Sequence, residues 1–199
     1  MQVAIIKYNA GNIQSVSFAL ERLGVDFIIT DDKEKIQSAD KVIFPGVGEA
    51  RTTMNYLKEK NLDVVIKNLQ QPVLGICLGM QLMCSHSEEN DTACLGIFDE
   101  VVKRFIPSKE IKVPHIGWNQ LTLTMDWSLS LPDNHVYFVH SYYVPVNKYT
   151  TATCQYFIPF SAMMKKDNFY AVQFHPEKSA VAGEQVLKNF LESKETVTT

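Results

Sequence analysis

The sequence has no long hydrophobic run. Its apolar stretches are short, such as residues 3–6 and 42–44, far from the ~18 residues of a membrane-spanning helix, so no membrane association is expected. It has no excess of basic charge either. Nineteen Lys and Arg face 22 Asp and Glu, for a formal net charge of −3, which leaves no field to hold a phosphate backbone and makes a nucleic-acid partner unexpected. Cys77, Cys84, Cys94 and Cys154 form no C-x-x-C pair, which sets aside zinc-ribbon and thioredoxin-like chemistry. His86, His115 and His135 lack metal-ligand spacing and read as loop or packing residues, His115 with a part at an interface; neither a metal nor a cofactor is expected. The opening segment MQVAIIKYNAGN shows no basic lead-in and no small-residue cleavage site, an absence that points to the cytoplasm, where thiols stay reduced. Repeats, low-complexity tracts and Gly/Ser linkers are missing, and 199 residues suit one domain spanning 1–199.

What is there falls into two halves. In the first, short apolar segments (3–7, 27–30, 41–44 and 73–77) alternate with amphipathic ones. Ile13, Val16, Leu20 and Leu23 recur at helical spacing between Asn12, a candidate cap, and Gly24, a candidate terminator. A helical stretch over 49–69 is expected to break near Asn61. Strands alternating with helices imply crossovers and a mostly parallel sheet. The second half is rich in β-branched and aromatic residues over 112–124, 135–146, 151–157 and 169–174, separated by turns such as Pro132-Asp133-Asn134 and Lys166-Asp167-Asn168. These read as antiparallel strands appended to the sheet. A closing helix is expected over about 180–192, and 195–199 as a frayed end. The fold class is therefore α/β, a mostly parallel central sheet flanked by helices with added antiparallel strands.

Three motifs carry chemistry. Gly75-Ile76-Cys77-Leu78-Gly79 joins an apolar strand to a helical run, the pattern of a nucleophile elbow. Such a turn lifts its central side chain above the carboxyl edge of the sheet and aims the next helix at the sulfur, which favours thiolate. A lone cysteine is usually plain core, and a nucleophilic one needs a base and an orienting group. Phe174-His175-Pro176-Glu177 offers both: residues two apart in an extended segment share a side, so Glu177 can stand behind the His175 imidazole, with Pro176 keeping the segment out of helix. Together they describe a Cys-His-Glu triad. Pro45-Gly46-Val47-Gly48 closes the third strand. Acyl transfer needs amide donors for the oxyanion, and the Leu78 N–H with one near Val47 fits that need; an ordinary glycine turn is the plain alternative.

With these motifs in order the chain resembles the class I (triad) glutamine amidotransferases, with a flavodoxin-like fold, over essentially its whole length. GICLGMQ (75–81) and FHPE (174–177) carry the resemblance. PGVGEA (45–50), PHIGWN (114–119), FVHSYY (138–143), FHPEKS (174–179) and AGNIQSV (10–16) are similar to the glutaminase subunits of imidazole glycerol phosphate synthase, of histidine biosynthesis. The resemblance implies that Cys77 attacks the side-chain amide of L-glutamine, that His175 takes the thiol proton and returns it to departing ammonia, and that Glu177 orients His175. It implies substrate contacts from Gly48, Gln81, Glu89, His140, Ser141 and Tyr142, Glu89 suiting the ammonium and donors near Ser141 the carboxylate. It further implies a heterodimer with a (β/α)₈ barrel subunit, where ammonia meets a phosphoribulosyl-formimino carboxamide nucleotide and yields imidazole glycerol phosphate and an aminoimidazole carboxamide ribonucleotide. Asn12, Trp118 and Lys178 match positions at that interface; a helix cap, a core aromatic and a solvated charge are their ordinary readings. Lys7 and Asn9 depart from the Asp-Tyr-Gly-x-Gly-Asn-like opening common in relatives.

The leading expectation is thus a glutaminase gated by its partner, the Pro45–Gly48 peptide resting turned away until the barrel binds its nucleotide. A glutaminase for pyridoxal phosphate or aminodeoxychorismate synthesis is the second reading, which PGVG with PHIGWN disfavours. A non-catalytic flavodoxin-like binding protein is the third, which the intact Cys77, His175 and Glu177 disfavour.

Overall fold

The computed structural model describes residues 1–8, 12–109, 111–124, 131 and 133–193; the expectations for Asn9, Pro132 and 195–199 lie outside them. The first half runs β1 (Gln2–Ile6), α1 (Ile13–Arg22), β2 (Asp26–Thr30), α2 (Lys33–Ser38), β3 (Lys41–Phe44), α3 (Ala50–Glu59), α4 (Leu62–Lys67), β4 (Val73–Ile76) and α5 (Leu78–Leu82). Side chains set several boundaries. Asp32 accepts the Glu34 and Lys35 N–H groups at 2.9 and 3.2 Å and starts α2, while Glu49 does the same for α3. Asn61, at φ 52, separates α3 from α4, and Gly24, at φ +68, lies just past α1. Within the described residues no helix is long and apolar enough to cross a membrane.

The second half adds β5 (His86–Ser87), β6 (Thr92–Ala93), β7 (Val101–Arg104), β8 (His115–Leu123), β9 (His135–His140), β10 (Tyr142–Tyr143), β11 (Thr150–Tyr156), β12 (Ile158–Lys166), β13 (Phe169–Val172), a 3₁₀ turn (Pro176–Lys178) and α6 (Ala180–Glu192). The main sheet has the order β2-β1-β3-β4-β13-β12-β11-β8-β9, and β10-β7-β5-β6 form a smaller one. The pairings from β2 to β13 are parallel, and those from β13 to β9 antiparallel.

Two hydrophobic layers cover the main sheet because alternate strand residues face opposite ways. Ala4, Ile6, Val42 and Phe44 join α2–α5 in one layer. Val3, Ile5, Ile43 and Leu74 join α1 and α6 in the other, with Val16, Leu20, Val186 and Phe190 facing them.

Three expectations need correction. Residues 169–174 were expected to be antiparallel; β13 is parallel to β4, with Val172 beside Ile76, and antiparallel only to β12. A strand's own residues do not encode its neighbour's direction. Strand β12 was not anticipated at all. Its stretch from Phe160 to Met164 is buried throughout, so it lacks the alternation that marks a half-exposed strand. The segment 135–146 is not one strand: it leaves the main sheet after His140 and pairs through Tyr142–Tyr143 with β7.

Candidate active site

Strand β4 lies between β3 and β13 in the sheet, all three parallel. Their carboxyl ends therefore bring together the three sequence motifs: Pro45–Gly48 after β3, Cys77 after β4, and His175–Glu177 after β13. Clefts of open α/β sheets form at this edge. The elbow is tight. Cys77 has φ 52 and ψ −106, a strained state for a side-chain-bearing residue, held by its N–H bonding Val172 O at 2.8 Å. A Cβ on Gly79 would stand 2.0 Å from the Phe44 carbonyl oxygen. Gly79→Ala is accordingly expected to destabilise the chain by roughly 3 kcal/mol and to displace the elbow, read by chemical denaturation and by glutaminase assay; wild-type values in both would show that the elbow tolerates a side chain.

Cys77 lines the cleft at the carboxyl end of β4 but is only 7% exposed, where the elbow was expected to hold its side chain exposed. His175 Nδ1 donates to Glu177 Oε1 at 2.8 Å, and both side chains are buried. That leaves the other ring nitrogen for Cys77, whose side chain interacts with the imidazole. The His175 backbone is pinned, its N–H donating to Tyr137 O at 2.9 Å and its carbonyl accepting from Ser179 Oγ at 2.7 Å. Residues Pro176–Lys178 form a 3₁₀ turn, where an extended segment was expected; proline suits the first position of such a turn, where its missing N–H is not needed. The carboxylate still reaches the ring.

Asn12 is not the side-chain helix cap that its position suggested. It stands at the start of α1 with φ 74, and its side chain makes no capping bond. Its amide donates instead to Glu177 Oε1 and lies 3.3 Å from His175 Nδ1. Because Nδ1 already carries the proton given to Glu177, the Asn12 bond steadies the carboxylate. The other Glu177 oxygen is buried without a partner among the described residues.

A cleft of about 330 Å³ opens over Cys77 and is lined by Val47, Gly48, Leu78, Gln81, Glu89, Pro114, Val139, His140, Ser141, Tyr142, His175 and Lys178. Every sequence-predicted oxyanion and substrate residue is among them. Burial raises the Glu89 carboxyl above its usual range, and its Oε2 accepts the Ala50 N–H at 2.9 Å. Leu78 N–H points to Gly46 O at 3.4 Å. In a trans peptide the N–H lies opposite the C=O, so the Val47 N–H is aimed away from Leu78. Tyr8, its hydroxyl donating to Pro45 O, braces this loop from beneath. Trp118 is 55% exposed, which removes its reading as a core aromatic. Lys178 is exposed at the cleft rim.

His115 is neither a loop residue nor simple packing. It is buried on β8, sandwiched by Tyr156 and Phe138, with Nδ1 3.0 Å from His140 Nε2. His140 Nδ1 bonds Tyr142 O at 2.7 Å. A carbonyl only accepts, so His140 is protonated at Nδ1 and its Nε2 accepts from His115. Burial brings His115 down to about 4 and, with the neighbouring His115 and His175 adding to it, His140 to about 3. Both stay neutral in the fold but take up protons near 6.5 when unfolded. Their contribution to stability is therefore full above 6.5 and lost as pH falls toward 4. His175 has the opposite sign. Burial works against its charge, but the interactions with Cys77 and Glu177 outweigh burial and hold it up to about 10, so its contribution is full below 6.5 and lost as pH rises toward 10. His115→Gln, which keeps a donor for His140, is expected to flatten the acid limb of a melting-temperature profile between pH 6.5 and 4 and spare the alkaline limb. An unaltered acid limb would place the acid sensitivity elsewhere.

Burial pushes Cys94 and Cys154 up to about 12 and Cys84 well above the usual range.

Comparison with known proteins agrees with this geometry. Residues 4–193 match the family described as glutamine amidotransferase class-I. The chain is 64% identical over 195 residues to the imidazole glycerol phosphate synthase subunit HisH of Bacteroides fragilis, covering 96% of this chain and 100% of that one. It is 48% identical over 193 residues to the subunit of the same name from Idiomarina loihiensis, covering 96% and 98%. Among solved structures, one described as a glutamine amidotransferase superposes with a TM-score of 0.74 at 18% identity, covering 96% and 97%. PurLQS from Thermotoga maritima superposes with a TM-score of 0.69 at 14% identity, covering 96% and 97%. At these identities the two structures speak for the fold alone.

Proposed function

The chain belongs to the class-I glutamine amidotransferase family, and on that premise we propose that it is the glutaminase subunit of an imidazole glycerol phosphate synthase. The observation that carries the chemistry is the line of contacts Cys77–His175–Glu177 at the base of a cleft lined by all the predicted substrate residues. The pathway rests on the HisH relatives that match along nearly their whole length.

In this reading Cys77 Sγ adds to the side-chain carbonyl carbon of L-glutamine, and the proton held by His175 goes to the departing amine. The C–N bond breaks, leaving a thioester and ammonia. Water then adds with His175 as base, the C–S bond breaks, and glutamate leaves. Glu177 holds the imidazole in the tautomer that faces the sulfur, and Asn12 holds Glu177. Leu78 supplies one oxyanion donor and Val47 the second once its peptide turns. Glu89 faces the substrate ammonium. The carboxylate meets the backbone of Ser141 and Tyr142, because both ring nitrogens of His140 are already engaged.

The ammonia passes to a (β/α)₈ barrel subunit, with exposed Trp118 and Lys178 on the face that receives it. The whole chain acts as one domain in the cytoplasm and needs no cofactor. The test is reconstitution. The chain, mixed with the barrel subunit and its carboxamide nucleotide, is expected to make imidazole glycerol phosphate from glutamine without added ammonium salts, and omission of the chain should abolish this. Equal product without the chain would exclude the assignment.

A further inference from the structure

Gln173 has no part in the mechanism so far. It lies one residue beyond β13, two before His175, and is fully buried. Its orientation follows from a series of contacts that leave no choice at any step. The Tyr142 carbonyl can only accept. It accepts from His140 Nδ1 at 2.7 Å and from Gln81 Nε2 at 2.9 Å. That turns the Gln81 amide so that its second N–H meets Gln173 Oε1 at 3.0 Å. With its oxygen so engaged, Gln173 presents Nε2 to Cys77 Sγ at 3.6 Å, a distance suited to the larger radius of sulfur. Around the sulfur stand the His175 imidazole, the Gln173 amide and the Val139 carbonyl oxygen, which accepts from the thiol at 3.8 Å. Of the two groups able to donate to a sulfur anion, the imidazole titrates and the amide cannot.

We propose that Gln173 is a further catalytic residue, its amide N–H stabilising negative charge on Cys77 Sγ, and that Gln81 is the positioning residue that aims it. This rests on the reading of Cys77 as the nucleophile. Charge stands on the sulfur twice in the cycle. It is there in the attacking thiolate, once the thiol proton has moved to His175. It returns during thioester hydrolysis, when water has added to the carbonyl carbon, the C–S bond breaks and its electron pair goes back to sulfur. A buried anion needs such donors, since in an apolar site a lost hydrogen bond to a charged group is not replaced by solvent. The Gln81–Tyr142 link also ties this donor to the segment carrying Ser141, so the sulfur and the substrate-binding backbone share one rigid frame.

Alkylation of Cys77 by iodoacetamide in the full chain, followed by mass spectrometry of its peptide, reads thiolate directly. Gln173→Met, of similar length but without a donor, is expected to slow alkylation about tenfold at neutral pH, with the deficit closing as pH is raised. Gln173→Glu should slow it further, and Gln81→Met should give a smaller slowing in the same direction. In the complex with the barrel, kcat should fall while KM stays within about twofold. Should the Gln173 variants not fold, Gln81→Met decides. Wild-type alkylation rates across the pH range would overturn the proposal, including the case where kcat and melting temperature fall together, which would make Gln173 a packing residue. A Cys77→Ala chain that still released glutamate would instead remove the underlying nucleophile reading, whatever the Gln173 variants did.

Discussion

Cys77→Ala is expected to reduce glutamate release on the order of 10⁶-fold, the scale on which hydrolases lose turnover when the nucleophile is deleted. The size follows from the architecture. Every step of His175 depends on the bond the sulfur makes to the substrate, and Glu177 acts through His175, to which it is hydrogen-bonded, so removing the sulfur silences the whole triad. Cys84, Cys94 and Cys154 cannot replace it, because burial holds each as the thiol. The fold should not suffer: alanine removes one buried atom from a residue whose backbone is fixed by the Val172 bond. A coupled glutamate assay and co-elution with the barrel subunit are the two readouts. Activity lost with co-elution kept is the expected pair; substantial residual turnover would move the nucleophile to another residue.

The second large effect concerns the oxyanion site. The isolated chain is expected to hydrolyse glutamine about 10²–10³-fold more slowly than the complex carrying the barrel's nucleotide. That factor is the worth of one oxyanion donor. In the structure the Gly46 carbonyl, and not the Val47 N–H, faces the Leu78 N–H, at 3.4 Å. The contact is long and therefore weak, and glycine at 46 opposes no rotation of the following peptide. Turning it exchanges a carbonyl that repels the developing oxyanion for an N–H that binds it. Stimulation should appear in kcat more than in KM, because the donor acts on charge that exists only in the transition state. Measuring both constants with and without the barrel and nucleotide checks this; an isolated chain as fast as the complex would end the gating idea.

Much of the site was legible because its motifs are local. A glycine-flanked cysteine after an apolar strand, a His-Pro-Glu after another, and a Pro-Gly-Val-Gly after a third each announce their chemistry within a few residues. The resemblance to a known family added the substrate residues, and the cleft collects them. What escaped has a common character. Asn12 looked like a cap because asparagine before an amphipathic run usually is one; its bond to Glu177 spans 165 positions. His115 looked like packing because its partner is a histidine on the next strand. Gln173 gave no signal at all: its role exists only through Gln81 and a backbone carbonyl. Strand β12 was missed because burial on both faces erases the period that identifies a strand.

By itself the sequence determined the local geometry: which segments extend, which coil, and where a strained turn must present a sulfur. Those are decided by steric preference and hydrophobic period over a few neighbouring residues. The tertiary structure decided that β3, β4 and β13 lie side by side and parallel, which makes one site of three distant motifs. It also decided which polar groups face one another inside the fold. Strand order and buried hydrogen-bond partners depend on pairings across the whole chain, and no single segment contains the information about what it will be packed against.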